Sequence, residues 1–291
     1  MRNQESIRTI EEISQEIDFL KGKKLSYERL VGGLTNYSYK VMVDDQPYFL
    51  RINSNKKSFL ALDRDEEVKA IKKASVLGLA AKVLFGNDEY IVTEFLEGRN
   101  PTYNELREPE NIQKVVDILK KVHTIEDVYR NCSPFDLVSG FLDEARKTEK
   151  EWPEGLDEAI ETMDIIQENN EKYAPYLGKY CHNDAHERNM LVSSYGEYKL
   201  IDWEHSGYGN IMFELATLSS IYDYTEVEDK LLLRSYFGYY EDEFKQLLKD
   251  MRFMHTMLTV AWSLANKSLD PKNYTDYINS SIQKIKRMIN N

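Results

Sequence analysis

The chain is short of cysteine, of positive charge and of long apolar runs. Its 291 residues include two cysteines, Cys132 and Cys181, too few for a disulfide framework, so free thiols in a reducing compartment are expected. No C-x-x-C or H-E-x-x-H frame is present to support a zinc centre. The formal net charge of −12 argues against a nucleic-acid surface and suits a cationic small molecule better. The run nearest to a membrane span, Met254 to Ala265, is interrupted by polar residues. The amino terminus opens on charged residues without an apolar core, so no signal peptide is expected. Internal repeats and low-complexity tracts are also missing. With 42% hydrophobic and 30% charged residues, these absences predict a cytoplasmic globular protein of one or two domains, without membrane insertion.

What is present is concentrated in one stretch. Cys181-His182-Asn183-Asp184-Ala185-His186-Glu187-Arg188-Asn189 holds a carboxylate in an H-x-D-x-x-x-x-N frame and an amide five residues on. After a short hairpin, Leu200-Ile201-Asp202-Trp203-Glu204 ends an apolar strand in a second carboxylate. A base for a hydroxyl and oxygen ligands for hard cations are what phosphoryl transfer from Mg-ATP requires. Met190–Ser193 and Tyr198–Ile201 read as strands around a Ser194–Glu197 turn. With the turn centred on Tyr195-Gly196, Asn189 is expected opposite Asp202, their Cα atoms roughly 4.5–5.5 Å apart. Taken singly, an Asp after a strand is ordinarily a cap, and an Asn ordinarily starts a turn. The joint pattern is what carries the reading. A rival zinc cluster of Cys181, His182, Asp184 and His186 would need the segment to be helical, and Asn183-Asp184 before a hairpin argues for a loop.

Along the chain, Ile7, Ile10, Ile13, Ile17 and Leu20 stand at helical spacing, predicting a helix over 4–20. Strands are expected at Leu25–Leu30, Tyr37–Val43, Tyr48–Ile52 and Tyr90–Glu94, with a helix at Asp63–Leu77. From Asn111 the pattern is mainly helical: 111–124, 135–150, 155–173, 211–221, 226–237, 241–266 and 273–289. This predicts an α+β, bilobal protein: a β-rich nucleotide-binding lobe over 1–97 with a hinge near 94–98, and an α-rich catalytic and acceptor-binding lobe over 98–291. A cleft between the lobes is the expected ligand site.

The remaining nucleotide candidates are individually modest. Gly32 and Gly33, followed by Thr35 and Asn36, let a backbone turn approach phosphates closely, although such a hairpin is often only a turn. Arg51 on the strand Phe49–Ile52 is either an edge charge or a phosphate-facing cation. Glu67, on the buried side of its helix, is a candidate partner for Arg51, with Glu66 as competitor. Glu94 and Leu96 bracket the hinge, where backbone groups could read an adenine edge.

These residues resemble the choline kinase and aminoglycoside phosphotransferase superfamily, which has a protein-kinase-like fold. The similarity runs from Gly32-Gly33 to the final helix and is closest to choline kinases, including the bacterial LicA-like branch. Asp202–Tyr208 resembles their D-[FW]-E-x-S segment and Phe213–Ala216 the following F/W-D-[IL]-A; Val260–Leu264 and Tyr274–Tyr277 resemble late segments that line a choline pocket. The resemblance implies Asp184 as catalytic base, Asn189 and Asp202 as magnesium ligands, Arg51 and Glu67 as the ion pair near the phosphates, and Mg²⁺ and ATP as cofactor and co-substrate. The chain departs from the pattern at Arg188, Thr259 and Glu214. A quaternary ammonium donates no ordinary hydrogen bond and is held by aromatic faces and carboxylates. Asp184, Glu204, Tyr224, Trp262, Tyr274 and Tyr277 are therefore the acceptor candidates, with Tyr222 nearby; Trp262, Tyr274 and Tyr277 could equally pack the core. The expected activity is phosphorylation of choline. Ethanolamine, an aminoglycoside or another small alcohol is the alternative acceptor, and a non-catalytic nucleotide-binding regulator is the alternative outside the class.

Overall fold

A computed structural model of the chain describes residues 8–30, 36–53, 63–149, 152–268 and 270–290. Gly32, Gly33 and Thr35 lie outside the described residues, as does Ile7. Contacts divide the chain into two compact units: Met1–Lys56 with Ala81–Glu97, and Lys57–Ala80 with Gly98–Asn291.

The first unit is an antiparallel sheet of β1 (Leu25–Arg29), β2 (Tyr37–Val43), β3 (Gln46–Ile52), β4 (Val83–Gly86) and β5 (Tyr90–Glu94), in the order β1-β2-β3-β5-β4. Asp44 and Asp45, at φ 47° and 63°, make the two-residue turn between β2 and β3, the left-handed pair a tight hairpin requires. Strand β3 therefore starts at Gln46, earlier than the sequence pattern indicates. Helix α1 spans only Ile10–Ser14. Past it the chain runs in turns, and the Ser14 hydroxyl bonds the Glu11 carbonyl at 2.7 Å, the local competition that makes serine a weak interior helix residue. The apolar spacing still does its work. Ile10, Ile13, Ile17 and Leu20 join Val41, Val43, Leu50, Ile52, Tyr90 and Val92 in one buried cluster.

The second unit is mainly helical. It comprises α2 (Arg64–Val76), α3 (Pro109–Val122), α4 (Pro134–Ala145), α5 (Leu156–Asn170), α6 (Ala174–Leu177), α7 (Ile211–Ile221), α8 (Glu226–Phe237), α9 (Asp242–Asn266) and α10 (Pro271–Ile289). The 25-residue α9 packs on α4, α7 and α10. Helix α7 is buried from Ile211 through Ser220, as expected of a helix apolar on nearly every face; Asn210 caps its first amides. Two small antiparallel pairs interrupt the helices: β6 (Gly178–Cys181) with β9 (Gly207–Asn210), and β7 (Met190–Val192) with β8 (Tyr198–Leu200). Helix α2, expected in the amino-terminal lobe, groups instead with the second unit, because it packs on the 3₁₀ turn at Trp203–His205. Among the described residues, no helix is long and apolar enough to cross a membrane.

Candidate active site

Strand β6 delivers the loop that carries Asp184. Its partner β9 must come close to the 130–132 segment, and a Cβ on Gly207 would lie 2.5 Å from Cys132 Sγ and 2.7 Å from the Arg130 carbonyl. Only glycine fits there. Beyond Cys181 three side chains set the loop. His182 is fully buried, edge-on to Trp203 at 4.7 Å. Its Nε2 lies 3.1 Å from the Ile201 carbonyl, and its Nδ1 accepts from the Asp184 N–H at 3.3 Å. A carbonyl can only accept, so these partners assign the proton to Nε2. Burial pushes the His182 pKa down to about 4, which keeps that neutral tautomer. Asn183 is left-handed at φ 62° and donates its N–H to Glu214 Oε1 at 2.7 Å. The other Glu214 oxygen meets His123 Nε2 at 2.5 Å, and His123 Nδ1 meets the Tyr236 hydroxyl at 2.6 Å. Burial alone would raise the Glu214 pKa; the His123 contact and the Asn183 amide outweigh it and hold the carboxyl below its usual range.

Asp184 itself accepts from Asn189 Nδ2 at its carboxylate (2.6 Å) and at its main-chain carbonyl (3.0 Å). His186 Nε2 is 3.4 Å from the other carboxylate oxygen. Burial pushes the Asp184 pKa up to about 7; His205 and the Asn189 hydrogen bond oppose the rise, while Asp202 and Glu204 add to it. The side chain keeps 31% of its surface open, so the carboxyl is crowded by protein and still reachable. Asn100 was invisible to motif reasoning. Its Nδ2 donates to the carbonyls of Glu187, Arg188 and Met190 at 3.1, 3.1 and 2.8 Å, clamping the turn that presents Asn189.

The hairpin register differs from expectation by one residue. Met190 pairs with Leu200, and the Ile201 N–H donates to the Asn189 carbonyl at 2.9 Å, so Ile201 and not Asp202 faces Asn189. The reason is the wider loop at 193–197: the Ser193 hydroxyl accepts from the amides of Tyr195 and Glu197 at 3.3 and 3.2 Å. Asp202, at φ 60° and ψ 70°, follows directly, and its charge is felt at Asp184. Glu204 and Glu67 are both buried and share Arg64, at 3.1 and 2.7 Å. Glu66 instead accepts the Tyr129 N–H at 2.8 Å.

The donor set suits a hard cation. Asn189 spends its N–H₂ on Asp184, so its carbonyl oxygen is the donor atom it could offer a cation, and Asp202 could add a carboxylate. The zinc alternative fails, since Cys181 groups with His123 and Glu214 among the described residues, while the His182 ring is held on Ile201.

The acceptor candidates are scattered over several neighbourhoods. Tyr222 is tied to the loop that carries Asp184: its hydroxyl donates to Glu187 Oε2 at 2.9 Å and receives the Glu187 N–H at 2.8 Å. Tyr103 and Tyr224 stand 5.5 and 5.9 Å from its ring, and the Tyr224 hydroxyl is spent on the Leu106 carbonyl at 2.5 Å. Trp262 and Tyr274 meet edge-on at 5.4 Å. Tyr277, 53% exposed, lines a cavity that Asp184 does not border. In the first unit, Arg51 is buried on β3, the middle strand of its sheet, with Nε on Asn53 at 3.0 Å. The edge-charge reading of Arg51 is thereby excluded. Asn36 is buried, Glu94 exposed and Leu96 half-buried.

A family model for choline/ethanolamine kinase matches residues 27–227. Protein LicA of Haemophilus influenzae is 26% identical over 260 residues, spanning 85% of this chain and 75% of that protein. Ethanolamine kinase 1 of Mus musculus is 26% identical over 254 residues, spanning 76% of this chain and 67% of that protein. The crystal structure of a choline/ethanolamine kinase family protein from Mesorhizobium loti superposes with a TM-score of 0.78 at 20% identity, covering 97% of this chain and 94% of that one. The α+β, kinase-like fold expected from the resemblance is the fold observed. The chain belongs to the choline/ethanolamine kinase family, as an ATP-dependent phosphotransferase that acts on an alcohol.

Proposed function

We propose that this chain transfers the γ-phosphate of Mg-ATP to the hydroxyl of choline. The observation that carries the reading is Asp184, oriented by Asn189 at 2.6 Å and with 31% of its side chain still open to a reactant. A carboxylate held in place and reachable is suited to accept a hydroxyl proton as the phosphoryl group moves. Asn189 and Asp202 would hold the magnesium, which supplies charge neutralisation for the phosphates. In the segment up to residue 97, the nucleotide falls to Gly32, Gly33, Thr35, Asn36 and Arg51, with Glu94 and Leu96 at the adenine; Glu67 is the carboxylate partner proposed for Arg51. Choline is preferred over ethanolamine because the paired aromatic faces of Trp262 and Tyr274 suit a cation that donates no hydrogen bonds. A cytoplasmic setting is proposed with it, in keeping with two buried free thiols.

The test is ADP release measured across choline, ethanolamine, aminoglycosides and small sugars. A preference for choline in kcat/KM supports the assignment. Turnover of ethanolamine alone keeps the kinase and removes choline, whereas silence with every alcohol removes the kinase reading.

A further inference from the structure

Two side-chain nitrogens converge on the Asp184 carboxylate from opposite ends. Asn189 Nδ2 donates to Oδ2 at 2.6 Å. His186 Nε2 lies 3.4 Å from Oδ1. The His186 ring is itself held by the turn that follows it. It is the N-cap of the 3₁₀ turn Glu187–Asn189, and its Nδ1 accepts the Arg188 N–H at 3.1 Å. A ring nitrogen that accepts carries no proton, so the proton of the neutral ring is on Nε2, the atom that faces Asp184. The backbone of His186 is stitched to the same two partners: its N–H donates to the Asp184 carbonyl at 3.0 Å, and its carbonyl accepts the Asn189 N–H at 2.9 Å.

The terminal torsion of a carboxylate is broad and roughly two-fold, so a donor at one oxygen leaves the plane of the group free to rock. A second donor at the other oxygen fixes that plane. Each carboxylate oxygen has further lone pairs, and the 31% of the Asp184 side chain that stays open leaves room for a hydroxyl. At 3.4 Å the His186 contact is longer than a finished N–H···O bond. Catalytic contacts of this kind commonly tighten when the reactants bind.

We infer that His186 is a positioning residue for phosphoryl transfer, its Nε2–H setting the plane of the Asp184 carboxylate against the acceptor hydroxyl. The inference rests on the proposed function, through Asp184 as the base. An aim that matters while the proton moves, and not while either substrate is held, acts on kcat and leaves KM alone.

Three variants separate the two tasks of the ring. His186→Asn keeps an acceptor where Nδ1 caps the turn and has nothing at the Nε2 position. His186→Gln carries an amide N–H₂ near Nε2. His186→Ala has neither. The experiment is steady-state kcat and KM for ATP and for the alcohol that the wild type turns over fastest, beside melting curves and an Asp184→Asn control. His186→Asn should melt with the wild type and lose roughly ten-fold in kcat at unchanged KM for both substrates, and His186→Gln should recover part of that loss. Wild-type kcat in His186→Asn, or equal losses in His186→Asn and His186→Gln, overturns the positioning role and leaves a turn cap. Should His186→Asn melt early, His186→Gln against His186→Ala decides, and equal kcat in those two overturns the role. Transfer that survives Asp184→Asn removes the base reading itself; a dead Asp184→Asn beside an unaffected His186→Asn removes only the inference.

Discussion

Asn189 Nδ2 reaches both the carboxylate and the main-chain carbonyl of Asp184, at 2.6 and 3.0 Å. One amide thus fixes both the Asp184 side chain and the turn that bears it. Asp184→Asn should lower kcat by about 10²- to 10⁴-fold, the usual worth of a general base. Nucleotide affinity should change little, because the base acts on the acceptor. Single-turnover phosphorylation measured beside nucleotide binding checks this; near-normal transfer removes Asp184 from its role.

Glu214 links the buried His123 to the Asn183 amide behind Asp184. Glu214→Ala strands a buried imidazole and a backbone N–H together, a loss of about 3–5 kcal/mol by analogy with broken buried pairs. Urea denaturation should show a lower midpoint, and kcat should fall at a temperature where the variant is still folded. A variant as stable and active as wild type would mean that the anchor is dispensable.

His182 and His255 both have pKa values lowered to about 4 by burial. The unfolded chain binds their protons near pH 6.5. Their contribution to stability is therefore complete above pH 6.5 and is lost as pH falls toward 4, at most on the order of 3 kcal/mol for each ring. Asp184, raised to about 7, works the opposite way, so the test is a difference: His255→Gln should lose less stability than wild type between pH 6.5 and 4. Parallel curves would show that His255 does not titrate differently on unfolding.

Trp262 stands edge-on to Tyr274 at 5.4 Å. If its face holds the acceptor, Trp262→Ala should raise the choline KM by roughly 2- to 30-fold, the range of about 0.5–2 kcal/mol for a cation–π contact. The ATP KM should stay put, and Trp262→Phe should recover part of the loss. Equal losses for both substrates with a large fall in melting temperature would assign Trp262 to packing instead.

The sequence by itself determined most elements and placed Asp184 and Asn189 in one loop with Asp202 after the following hairpin. Long periodic helices such as α3 and α9 announce themselves, because burying an apolar face demands a repeating pattern. The H-x-D-x-x-x-x-N frame was legible because its parts lie within one loop. The short strands β4, β6 and β9 were missed, since four residues carry too little periodicity to separate strand from loop. What lay outside the sequence was settled by long-range contacts. Arg64 meets Glu204 across 140 residues, Asn100 clamps a turn some 90 residues away, and His123 meets Glu214 across 91. The hairpin register follows from a loop one residue wider than expected, closed by Ser193 backbone and hydroxyl contacts around a left-handed Gly196. A side chain's type is written in the chain, but its hydrogen-bond partner depends on which distant backbone arrives beside it, and only packing of the whole fold decides that.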